Sequence, residues 1–79
     1  MAQGNPDLRK AVGRNIRDYR RKVGWSQDVL AERCGLYRTY LSRIECGTAN
    51  PTLLMLVALA SALEVGVCDL LSGPVPGQK

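Results

Sequence analysis

An all-α chain of five short helices is expected, on three grounds. Apolar residues recur at three- and four-residue steps from Leu8 to Val23 and again from Leu30 to Ile44, the spacing that lines one face of a helix. Glycine punctuates the pattern at Gly24, Gly35, Gly47 and Gly66, where a helix can stop without strain. The composition is 46% hydrophobic, with one Trp, three Tyr and no Phe, so the core must be aliphatic. A chain of 79 residues forms one domain at most, and at this size only about 60% of the unfolded surface is buried, which leaves a monomer marginally stable. Association would add to that stability.

Residues 1–6 (MAQGNP) lack periodicity and carry no Arg or Lys, so a flexible arm is expected there. Asp7 is the candidate N-cap of a first helix over residues 7–22, whose apolar stripe is Leu8, Val12, Ile16, Tyr19 and Val23. Gly24 stops it. Ser26 can cap the free N–H groups of a second helix, Asp28 suits the positive end of its dipole, and Trp25 can staple onto Leu30. Leu30, Ala31 and Cys34 form its inward face. Gly35 stands where the chain must take a positive φ, which glycine adopts readily and a β-branched residue does not.

A third helix over residues 38–45 is anchored by Leu41 and Ile44, which leaves Arg38, Thr39, Ser42 and Arg43 outward and Tyr40 between the two sets. Tyr37 stands at its N-cap position and is a poor cap. Residues 46–50 (CGTAN) read as a loop, and Thr52 caps a fourth helix. That helix, Leu53 to Leu63, is apolar nearly all round: Leu54, Ala58 and Ser61 occupy the face an ordinary surface helix would make polar. Two covers are therefore needed, its own core and, as candidate for the other, a second subunit. Gly66 breaks the pattern before a short fifth helix over residues 67–71, so the domain is expected to span 7–71. Residues 72–79 (SGPVPGQK) are expected to be a flexible tail.

Charge is segregated along the chain. Between Arg9 and Lys22 there are seven Lys or Arg against the single acid Asp18, whereas residues 51–78 hold no basic residue and only Glu64 and Asp69. A basic front suits a polyanion, although a solvated basic helix would look the same. Cys34, Cys46 and Cys68 stand alone, without a C-x-x-C pair and without any His, so no metal site and no cofactor are expected. An odd number of thiols without a secretory segment points to a reducing, cytoplasmic compartment. The longest apolar run is far short of the roughly twenty residues of a membrane span. No pairing of nucleophile and base can be assembled, so an enzyme is not expected.

These residues together resemble the phage Cro and repressor type (XRE) helix-turn-helix family. The resemblance is carried by Gln27, Leu30, Ala31, Cys34, Gly35 and Leu36, by Leu41 and Ile44, and by the flanking Glu45, Gly47, Asn50 and Pro51, over roughly residues 12–71. It implies a five-helix lambda-repressor-like domain with the motif at helices 2 and 3. It also implies a sequence-specific regulator of transcription, a homodimer on a palindromic operator in double-stranded DNA, in the nucleoid of a bacterium or a phage host. RNA polymerase is then a candidate partner.

By that resemblance Arg38, Thr39 and Arg43, with Ser42 as a weaker candidate, read base edges in the major groove, where Arg can bond guanine twice. Gln27, Tyr37, Tyr40, Thr48, Asn50 and Arg14 are the candidates for phosphate. Arg20 and Glu45 are implied as a buried ion pair that orients the third helix. The dimer surface draws on Leu54, Met55, Ala58, Val67 and Leu70. The run Arg38-Thr39-Tyr40-Leu41-Ser42 is similar to that of the small controller proteins of restriction-modification systems, and phage-type repressor or antitoxin roles remain open beside it. The reading from another class is an interaction module that keeps the fold without specific DNA reading. Acids or bulky apolar residues on the reading face would mark it, and Arg38 and Arg43 argue against it.

Overall fold

The computed structural model describes residues 6–75, with side chains from Leu8 onward. Five helices follow in order: α1 (Pro6–Lys22), α2 (Gln27–Cys34), α3 (Arg38–Glu45), α4 (Leu53–Leu63) and α5 (Val67–Leu71). Among the described residues there is no strand. The arm expected over residues 1–6 lies outside them except for Pro6, and so does the tail beyond Val75. Pro6 opens α1, a position that proline tolerates because the first N–H groups have no helical partner, and this puts Asp7 inside the first turn.

The helix ends are set locally. Ser26 accepts a hydrogen bond from the Val29 N–H at 3.2 Å and Thr52 from the Met55 N–H at 3.1 Å. Gly35 ends α2 at φ 68°, with the Leu36 N–H returning to the Ala31 carbonyl at 2.8 Å. Tyr37 precedes α3 without a side-chain cap, as its chemistry predicts. α4 ends at Leu63, where its apolar run stops, but its cap is not a glycine. Glu64, not Gly66, takes the left-handed conformation, at φ 60° and ψ 41°. Gly66 instead starts α5, and its N–H donates to the Asp69 carboxylate at 2.8 Å.

One aliphatic core joins the helices. Val12 and Ile16 of α1, Leu30 and Ala31 of α2, Leu41 and Ile44 of α3, Leu56, Leu59, Ala60 and Leu63 of α4 and Leu70 of α5 are buried together. Full burial of each larger side chain contributes about 1.5–3 kcal/mol. The α1 stripe is narrower than its spacing predicts, because Leu8 and Val23 at its ends are exposed. Its unexpected member is Asn15, which is fully buried. The Asn15 amide donates to the Leu70 carbonyl at 3.0 Å and to the Ser72 carbonyl at 2.8 Å. Those bonds hold the end of α5 against α1. Beyond them residues 72–74 are exposed, but Ser72 is hydrogen-bonded and Val75 is buried, so the tail expected to be loose from residue 72 is held at these two points.

Two close approaches fix α1 against α3 and its loop. A Cβ on Gly13 would overlap the Ile44 carbonyl oxygen and lie 2.7 Å from that of Glu45. A Cβ on Gly47 would come within 2.7 Å of the Lys10 side chain, and Gly47 also has a positive φ of 78°. Glycine is required at both places.

Candidate nucleic-acid interface

α2 and α3 meet through Leu30, Ala31, Leu41 and Ile44, which turn inward and leave the opposite side of α3 polar. Arg38, Thr39 and Arg43 are exposed there and Ser42 is half-buried. Helical spacing is the cause: the apolar anchors three residues apart occupy one side, and the remainder falls on the other.

The anchor of this arrangement is electrostatic. The Arg20 Nε and Nη2 groups donate to the two Glu45 carboxylate oxygens at 2.7 and 2.9 Å. Side-chain exposure is 10% and 3%, so the pair is buried. The remaining Nη1 of Arg20 donates to the Trp25 carbonyl at 2.9 Å, which also ties down the turn before α2. Gln27 joins the same group, its amide donating to Glu45 Oε1 at 3.0 Å. A buried charge pair stabilises a fold only when its geometry is close and its remaining polar atoms are bonded, and both conditions hold here.

Gln27, the candidate phosphate anchor, thus stands half-buried at the first turn of α2 with its amide held by Glu45. The other phosphate candidates are placed differently from one another. Tyr37 and Asn50 are exposed, and Tyr40 is half-buried and packs on the core. Thr48 is exposed and its hydroxyl donates to the Arg43 carbonyl at 3.2 Å, which closes the turn after α3. Arg14 is half-buried, and its Nη2 donates to the Asn15 side-chain oxygen at 3.3 Å. With Lys10 and Arg17 it lines an open recess against Glu45 and Cys46, so the basic face of α1 adjoins the end of α3.

Residues that sequence reasoning missed are mostly those that act through others. Asn15 gave one signal, its position three residues after Val12 within the apolar stripe. Gly13 gave another, being a glycine in a helix interior, where it is otherwise unfavourable. Asp28 was read only as a helix-end charge, yet its Oδ1 lies 3.5 Å from the Arg38 Nε. Trp25 packs against the core and also lies under the Arg33 guanidinium, 4.3 Å from its ring centre.

The candidate dimer residues divide. Leu54 is 79% exposed, while Met55, Ala58 and Val67 are half-buried, and Met55 and Val67 pack on the core. Leu70 is 0% exposed, inside the subunit's own core, so it cannot lie on a surface offered to a partner. Leu53 and Val57 on α4 and Leu71 at the end of α5 are exposed instead.

No helix among the described residues is long and apolar enough to cross a membrane, and no cluster of metal-ligating side chains occurs among them.

The helix-turn-helix family profile matches residues 16–70. The chain is 43% identical over 68 residues to a hypothetical transcription factor of Neisseria meningitidis serogroup B, which covers 86% of this chain and 64% of that protein. It is 41% identical over 66 residues to control protein C.SmaI of Serratia marcescens, with 84% of this chain and 79% of the relative covered. It is also similar to the crystal structure of SinR, the master regulator for biofilm formation, in complex with DNA. That likeness has a TM-score of 0.74 at 37% identity and covers 77% of this chain and 98% of the other.

Proposed function

The chain belongs to the helix-turn-helix family of DNA-binding transcription regulators, and we propose that it acts as a homodimer that reads a palindromic operator. The family is one of regulators and not of enzymes. The observation that carries the proposal is the polar face of α3, exposed at Arg38, Thr39 and Arg43 while the helix behind it is fixed by the buried Arg20–Glu45 pair. A rigid helix with donors on its outer side is suited to the major groove, where base edges present a distinct pattern for every pair.

In this reading Arg38, Thr39 and Arg43 read bases, assisted by Ser42. Gln27, Tyr37, Tyr40, Thr48, Asn50 and Arg14 meet phosphates around them. The Glu45 contact orients the Gln27 amide and leaves its second N–H for a phosphate oxygen, at a helix N-terminus that already favours an anion. Two copies joined through α4 would place their α3 helices in successive major grooves about 34 Å apart. Bound at a promoter, such a dimer would block or recruit RNA polymerase. The likeness to C.SmaI supports a controller role within this class, and a cytoplasmic location follows from the proposed target.

Selection of bound sequences from a random duplex library tests the reading. A palindromic motif should emerge, and affinity for it should fall with salt at a log–log slope near 0.9 per phosphate neutralised. Recovery of no motif, with binding insensitive to salt, would overturn it in favour of an interaction module.

A further inference from the structure

Arg38 is the first residue of α3 and Asp28 the second of α2, so the two helix starts lie side by side. The Arg38 Nε is 3.5 Å from Asp28 Oδ1, with side-chain exposure of 64% and 78%. From Leu36 to Ile44 there is no acidic residue at all, so the only carboxylate paired with a reading-face cation among the described residues is supplied by the neighbouring helix. In water such an exposed pair adds little to stability. Its position at the start of both helices is what gives it a consequence.

We propose that Asp28 is a positioning and discriminating residue for Arg38, an inference that rests on the reading of α3 as the base-reading helix. The guanidinium is a planar fork on a flexible stem. A carboxylate at Nε restrains the stem and leaves both Nη groups free, and those are the donors that can meet guanine O6 and N7 together. Water is displaced when DNA arrives, and the pair then lies in a poorer dielectric, where its attraction strengthens and its geometry is better held.

The same carboxylate opposes phosphate. On non-specific DNA, where Arg38 finds no guanine, Asp28 adds repulsion to the polyanion and occupies the charge that would otherwise neutralise it. At the correct site, the two hydrogen bonds to guanine offset this. Asp28 therefore lowers affinity everywhere and lowers it least where a guanine faces Arg38, which raises the ratio of specific to non-specific binding.

Random-duplex selection and titration on wild type, Arg38→Ala, Asp28→Asn and Asp28→Glu provide the test, run at a temperature where every variant is folded, since loss of the first-turn charge should lower the melting temperature of Asp28→Asn only slightly. Arg38→Ala identifies the guanine it reads as the position whose preference disappears. Asp28→Asn should weaken the preference at that same position by about 3- to 10-fold, a part of what a good bidentate contact supplies, while non-specific affinity rises. Asp28→Glu, which keeps the charge, should retain most of the preference. A residue acting only on the helix end would change the melting curve and leave base preference unmoved. An Asp28→Asn variant with the full wild-type preference at the Arg38 position overturns this inference and leaves the DNA-reading function standing. Absence of any wild-type motif overturns both.

Discussion

Arg20 of α1 grips Glu45 at the end of α3 through two parallel hydrogen bonds of 2.7 and 2.9 Å, and the outward polar face of α3 is oriented by that contact without either residue lying on it. Glu45→Gln removes the charge and keeps the shape. Arg20 is then left as a buried cation facing an amide, a situation that typically costs about 3–5 kcal/mol, lessened here by its remaining bond to the Trp25 carbonyl. Urea unfolding at neutral pH should show a midpoint well below wild type. An unchanged midpoint would mean that the pair contributes nothing.

Gly13→Ala should destabilise, although the same change inside an exposed helix normally stabilises by roughly 0.5–1 kcal/mol. The new methyl would overlap the Ile44 carbonyl and crowd that of Glu45, both backbone atoms that cannot step aside alone. Forced repacking of this kind costs about 1–3 kcal/mol. Since α3 must shift to accommodate it, DNA affinity should fall as well. Denaturation and binding measured on the same variant check this, and a gain in stability would refute the close approach.

Glu64 offers the opposite case. It is the single non-glycine residue with positive φ among the described residues, and a side chain in that conformation costs roughly 1–2 kcal/mol. Glu64→Gly relieves the strain but adds freedom to the unfolded chain, so the expected net gain is about 0.5–1 kcal/mol. In a domain of this size that raises the melting temperature by roughly 2–8 °C. A calorimetric scan showing a lower melting temperature would count against it.

Features with local causes were legible in the sequence. Ser26 and Thr52 cap helices because their hydroxyls reach N–H groups three residues ahead, and Gly35 ends α2 because the turn there needs a positive φ. Glu64 escaped notice because glycine is the usual residue at a left-handed helix end, and the nearby glycine, Gly66, lies two residues further on. Asn15 escaped for a similar reason: its partners lie 55 and 57 residues away. Leu70 and Leu71 are adjacent and chemically identical, yet one is core and the other is exposed, a distinction that only the docked position of α5 makes. The Arg20–Glu45 pair came from family resemblance, since no spacing rule joins residues 25 apart.

The three thiols should react at different rates. Cys34 is half-buried between α2 and α4, where its Sγ approaches the Ala58 carbonyl at 3.7 Å, and burial pushes its pKa above the ordinary thiol value. The reactive thiolate is therefore scarcer there at any pH below that raised pKa. Cys46 and Cys68 are exposed. Alkylation at mildly alkaline pH followed by peptide mapping should label Cys46 and Cys68 first. Cys34 should follow only as pH rises further or denaturant is added, and labelling of all three together would contradict the burial.

Leu54 is the most exposed of the large side chains on α4, with Leu53 and Val57 exposed beside it. Apolar side chains so placed add nothing to the subunit's own core, whereas a second copy covering them would gain about 25 cal/mol for each Å² removed from water. Leu54→Lys should consequently separate association from folding. Helix content should be preserved, because lysine is a good helix former and the site is solvent-facing in the monomer. Sedimentation at micromolar concentration should shift from dimer to monomer, and affinity for a palindromic site should fall by more than affinity for a single half-site. If the variant sediments as the wild type does, α4 is not the surface of the proposed dimer.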